Sequence, residues 1–92
     1  MTTEEFVVRA KIAVAECNNT DVRAVDADII MIDDVHIVWF AYTLGNMKCL
    51  CKTALPDEMY YEVTYNKGKD EIYLDVYHKF CNTIVRTLGV LR

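Results

Sequence analysis

Apolar residues recur at helical spacing near the start of the chain, at Phe6, Ala10, Ala13, Val14 and Cys17. That spacing predicts an amphipathic helix running to about residue 17, with Glu5 and Arg9 as an i, i+4 pair on its outer side. Thr2 and Glu5 have the spacing of a capping box, in which a hydroxyl and a carboxylate satisfy free amides at a helix start. Asn18 and Asn19 suit its end. Between residues 20 and 34 the pattern is weak, and Ile29 to Ile32 fits a short strand or a buried helical turn equally well.

Four apolar-rich runs follow, at Val35 to Leu44, Met47 to Leu55, Met59 to Asn66 and Glu71 to Leu74. Turn residues separate them: Gly45-Asn46 as a two-residue hairpin loop, Pro56-Asp57-Glu58, and Lys67-Gly68-Lys69-Asp70. Asp75 is a suitable N-cap for a second helix whose stripe is Tyr77, Phe80, Cys81, Ile84, Val85 and Leu88, ended by Gly89. The predicted architecture over residues 1–92 is one α+β domain, a two-layer sandwich in which a four-stranded antiparallel meander carries two helices on one face.

Combining the hairpin registers sorts the strands into two faces. The predicted core face holds Val38, Phe40, Tyr42, Cys49, Cys51, Met59, Tyr61, Val63, Tyr65, Ile72 and Leu74, with His36 near its edge. The other face holds Val35, Ile37, Trp39, Ala41, Thr43, Lys48, Leu50, Lys52, Ala54, Tyr60, Glu62, Thr64, Glu71 and Tyr73. This register sets Trp39 opposite Lys52, and Lys52 opposite Glu62. The second face is too apolar for ordinary surface. Three coverings suit it: the stretch from Asp21 to Asp34 folded back, a second copy of the chain, or a ligand held between copies. Trp39, Lys48, Lys52, Tyr60, Glu62 and Tyr73 are the candidate ligand or partner contacts, and Ile37 and Leu50 the candidate oligomer contacts. Aromatic rings for stacking beside two lysines suit a nucleotide-type ligand bound without a phosphate loop.

Composition sharpens this picture. A 92-residue chain that is 53% hydrophobic has more apolar surface than a small core hides, so self-association is expected. Net charge −4 and a pI near 5.0 argue against general nucleic-acid binding, which needs clustered Lys and Arg. Asp21, Asp26, Asp28, Asp33 and Asp34 make one acidic, solvated connection. The start Met1-Thr2-Thr3-Glu4-Glu5 lacks signal-peptide character, and no apolar run is long enough to cross a bilayer; the expectation is a cytoplasmic chain with reduced thiols.

Catalytic patterns are sparse. With no serine and three isolated glycines, neither a serine nucleophile elbow nor a phosphate-cradling glycine loop can form. Cys49 and Cys51 with His36 or His78 are the candidate arrangement for zinc, and beside His36 the one local arrangement for a thiol nucleophile; their spacing fits core packing better. No catalytic residue, metal or other cofactor is expected.

The stretches Asp33-Asp34-Val35-His36-Ile37-Val38-Trp39, Leu55 to Asn66 and Glu71 to Phe80 resemble an uncharacterised family of small proteins encoded by phages and prophages of Gram-positive bacteria. The resemblance covers the carboxy-terminal two thirds, and Cys81 departs from the charged residue of that pattern. It implies a host-cytoplasmic accessory protein acting by binding. The leading expectation is a homo-oligomeric counter-defence protein that sequesters a nucleotide-type immune signal, an ADP-ribose derivative or a cyclic nucleotide. The alternatives are a protein inhibitor of a host defence or metabolic protein and, third, a small hydrolase or metal-binding protein.

Overall fold

The computed structural model describes residues 1–20 and 29–85. Helix α1 spans Thr3–Thr20 and the strands are β1 (Val35–Thr43), β2 (Asn46–Thr53), β3 (Met59–Asn66) and β4 (Glu71–His78), with a short 3-10 turn at Ile32–Asp34 before β1. The strands form one antiparallel meander in the order β1-β2-β3-β4.

The helix starts as its sequence directs: the Glu5 amide donates to Thr2 Oγ1 at 3.1 Å, satisfying one of the first-turn donors. Phe6, Ala10, Val14, Ala15 and Asn18 are its buried positions. They recur every three to four residues and form the stripe laid on the sheet. Small Ala10 lets the helix approach the strands closely, and Phe6 packs against Phe40 of β1, with ring centroids 6.0 Å apart. In its last turn, Asn19 clasps Ile30: its Nδ2 donates to the Ile30 carbonyl and its Oδ1 accepts from the Ile30 amide, both at 2.9 Å. This clasp pins Ile30 into the core beside Phe6, Val14, Val35, Met47, Cys49, Cys51, Tyr61, Val63 and Tyr65. The described end of the acidic connection thus joins the helix side; residues 21–28, including Asp21, Asp26 and Asp28, lie outside the described residues.

One helix covers the sheet among the described residues, where the pattern predicts two. Asp75 to His78 continue β4, and residues 79–85 are not helical; Leu88 and Gly89 fall outside the described residues. Two periods compete in this stretch. Ile72, Leu74 and Val76 alternate with Tyr73, Asp75 and Tyr77, and this period-2 pattern lets β4 match all eight residues of β3. Pairing along the whole of β3 gives the backbone groups on that side of it their partners, whereas a helix begun at Asp75 leaves half of β3 without a neighbour.

The first hairpin turns one residue earlier than predicted. Its loop is Leu44-Gly45, closed by the pair Thr43–Asn46; both loop residues have positive φ, 51° and 85°, as a mirror-image two-residue turn requires. Asn46 is held outside the loop because its Oδ1 accepts the Lys67 amide at 2.9 Å. Trp39 therefore faces Leu50 instead of Lys52. This two-place shift preserves the faces, but the register breaks again between Ile37 and Trp39, where Val38 is an extra, exposed residue. A bulge of this kind reverses the alternation before it. Val35 and Ile37 therefore pack into the core, and His36 moves to the opposite face. All three assignments, and that of Val38 to the core, are corrected by the bulge.

Candidate functional site

The face of the sheet turned away from α1 is a regular array built by the strand registers. Reading across from β1 to β4, one row is Trp39, Leu50, Glu62 and Asp75 and the next Ala41, Lys48, Thr64 and Tyr73; on the other side of Trp39 a third row is His36 with Lys52 and Tyr60 with Tyr77, joined where Lys52 stands over the Tyr60 ring. No described helix or loop covers it: Trp39 is 41% exposed, Tyr73 39% and Tyr77 51%, although all three are large apolar rings.

Leu50 and Glu62 occupy the middle, flanked along β2 by Lys48 and Lys52. Lys48 Nζ lies 3.6 Å from Glu62 Oε1. Lys52 Nζ donates to the Asp57 carbonyl at 2.8 Å, approaches the Asp57 carboxylate at 3.9 Å, and stands 5.0 Å from the centroid of the Tyr60 ring. The expected Lys52–Glu62 pair is thus replaced by Lys48–Glu62, because the β2–β3 register sets Leu50 opposite Glu62. Exposed pairs of this kind contribute only about 0–1 kcal/mol, so either ammonium group is free to exchange its carboxylate for another anion. A lysine over an aromatic face is a ready seat for a planar or anionic group.

At the far side, the Tyr73 hydroxyl donates to the Glu71 carboxylate, and that hydrogen bond raises the phenol above its ordinary value. Past the end of β4, the Lys79 amide donates to the Glu58 carbonyl at 2.7 Å and its Nζ lies 3.1 Å from Glu58 Oε2. The Glu58 hydrogen bond and charge push the Lys79 ammonium up.

Of the residues singled out from sequence, Trp39, Lys48, Leu50, Lys52, Tyr60, Glu62 and Tyr73 share this one face. Ile37 does not, since it packs against the core. His36, Asp75 and Tyr77 belong to the face and were missed; the signal for the last two was the alternation that carries β4 through to His78.

The cysteine arrangement does not assemble with histidine. Cys49 and Cys51 are buried on the helix side, their sulfurs 3.6 Å apart as free thiols, while His36 lies on the opposite face. The hydrogen bond between them and burial push the Cys49 thiol far above the usual thiol range, while the same hydrogen bond draws Cys51 down; two adjacent buried thiols suit core packing. Among the described residues, no three His, Cys, Asp or Glu side chains gather as a metal site would need. A shallow hollow lined by Glu4, Glu5, Val8, Arg9 and Ile12 lies on the outer side of α1, away from the open face. No described helix is long and apolar enough to cross a membrane.

A single helix on a four-stranded meander, with an aromatic and lysine-bearing sheet face left open, defines the class: a small two-layer α+β domain. The chain belongs to a family described as a family of unknown function, DUF6275, whose pattern matches residues 7–87. The match therefore takes in the first helix and the acidic connection as well as the strands. No curated protein and no solved structure matches the chain.

Proposed function

We propose that this chain is a binding protein without catalytic activity, and that the outer face of its sheet is the working surface. The observation that carries this reading is the covering of one sheet face by α1 and the exposure of the other, where Trp39, Tyr60, Tyr73 and Tyr77 surround Lys48 and Lys52. Exposed rings on a rigid sheet stack on planar groups with little loss of conformational entropy, and the lysines attract negative charge. A nucleotide-type ligand combines both chemistries. In the setting implied by the phage resemblance, that ligand is a host immune signal, an ADP-ribose derivative or a cyclic nucleotide. The protein would sequester it in the host cytoplasm as an assembly of copies.

A second reading is supported by the composition of the face. A broad strip of Trp, Tyr and mixed charges has the composition of a protein interface, and the partner is then a host protein that the chain inhibits.

Thermal-shift screening against nucleotide second messengers distinguishes the two. A ligand at about a hundred times its Kd stabilises by roughly 2.7 kcal/mol. The sequestration reading predicts a hit whose shift shrinks in both Trp39→Ala and Lys52→Ala. A shift undiminished in both variants removes the nucleotide from this face, and no shift with any nucleotide favours the protein-partner reading.

A further inference from the structure

The two edges of the sheet differ in a way that bears on assembly. Strand β4 carries Glu71 and Asp75, with Lys79 just beyond its end, whereas β1 reads Val-His-Ile-Val-Trp-Phe-Ala-Tyr-Thr with no lysine, arginine, carboxylate or proline. Edge strands that stay unpaired are commonly protected by charges, prolines or bulges. On β1 the one such feature is the bulge at Val38, which separates the first residues from the regular run Trp39 to Thr43.

The hairpin determines which backbone groups of that run are free. A two-residue turn closes on a pair that exchanges both hydrogen bonds, here Thr43 and Asn46. Alternation from that pair directs Trp39, Ala41 and Thr43 toward β2, and directs the N–H and C=O of Phe40 and Tyr42 outward. The midpoint of the run is Ala41. An identical strand laid antiparallel about that midpoint brings Phe40 opposite Tyr42 of the second copy twice over, so that four backbone hydrogen bonds form. The two Ala41 residues then face each other in the closely spaced, non-hydrogen-bonded position, where a small side chain fits best.

We propose that β1 pairs with β1 of a second copy, centred on Ala41, joining two sheets into one of eight strands. This adds an assembly surface to the binding face proposed above, and it rests on that reading only where it extends the face. The two-fold axis runs perpendicular to the sheet, so both helices lie on one side and both outer faces on the other. Trp39 of each copy then contributes to one continuous binding surface.

No like charges meet in this arrangement, and the charged β4 edges become the outer ends, so the assembly closes at two copies. On the helix side, Phe40 and Tyr42, which are 37% and 60% exposed, cover one another across the junction. The apolar side chains from Val38 to Leu44 expose on the order of 500 Å² per copy, taking each large aromatic as about 150–250 Å². With the paired backbone added, this approaches the roughly 800 Å² per partner of a standard interface.

Ala41 is exposed and lies opposite Lys48 within its own sheet, so a charged residue there is tolerated by the fold while two copies of it collide at the axis. Sedimentation equilibrium is measured on the wild type, on Ala41→Glu, on Ala41→Lys and on an equimolar mixture of the two variants, with circular dichroism confirming folding. The wild type is expected as a dimer at micromolar concentration, each variant alone as a monomer with dimer affinity at least tenfold weaker, and the mixture as a dimer again. A wild type that stays monomeric overturns the proposal. So does a variant that dimerises as tightly as the wild type, which places the contact elsewhere, or a mixture of two folded variants that stays monomeric, which excludes the Ala41 axis. Thermal shifts with nucleotides are read separately on the same samples, so loss of assembly and absence of ligand binding are told apart.

Discussion

Leu44 sits at the tip of the first hairpin in a left-handed conformation, φ 51°, with its side chain 88% exposed. A β-carbon in that region crowds the following carbonyl and costs roughly 1–2 kcal/mol, and the exposed leucine recovers nothing by burial within its own subunit. Asparagine tolerates this conformation and is favoured before glycine in such turns. Leu44→Asn is therefore expected to stabilise the fold by about 1 kcal/mol, seen as a higher urea midpoint with an unchanged slope. A lower midpoint would show that Leu44 packs against something. Its neighbour Gly45 is less tolerant, because its φ is again positive, at 85°, and a β-carbon there would displace the Lys67 side chain. The turn residues were readable as a group, but which two formed the loop was decided by Asn46, whose side chain is engaged 21 residues away at Lys67. A long-range hydrogen bond leaves no trace in local spacing.

At the scale of elements, α1 was legible from its stripe and its Thr2 cap, although it runs through Asn18 and Asn19 to Thr20 where the asparagines suggested its end. It holds the sheet through few large side chains. Phe6 is fully buried and meets Phe40 near the free edge of β1, while Ala10 and Val14 mainly allow close approach. Phe6→Ala is expected to destabilise by about 3–5 kcal/mol, the usual cost of emptying a buried phenylalanine site, against a total of roughly 5–15 kcal/mol for a folded domain. Denaturant unfolding of this variant measures it, and a loss below 1 kcal/mol, judged against that range, would mean that the helix is not anchored there. The strands were legible as elements and, for β2, β3 and the first half of β4, as faces. The faces of β1 from Trp39 onward were legible too, but not those before it, since a single extra residue at Val38 inverts Val35, His36 and Ile37, and nothing in a β-branched run marks which residue is the extra one. The end of β4 was misread because Asp75 and the residues after it satisfy a helical stripe as well as a strand alternation. Pairing with β3 decides between them.

For the whole molecule, the consequence is a sheet with one side committed to the core and the other offering three rows of aromatic, charged and aliphatic side chains. Most of the candidate contacts were recognised from sequence as a set. Their exact neighbours were not, because ion-pair partners depend on register to within two residues: Lys48, and not Lys52, reaches Glu62. The central claim is that this outer face binds the ligand, and the chain contains an internal reporter of it. Trp39 is the sole tryptophan and stands on that face, partly exposed, beside Leu50. Its emission therefore reports on stacking without any label. Titrating the protein with the nucleotide that gives the largest thermal shift, while following tryptophan emission, tests the claim most directly. The account predicts saturable quenching with the same midpoint as the thermal response. A nucleotide that stabilises the fold but leaves Trp39 emission unchanged to saturation would contradict it.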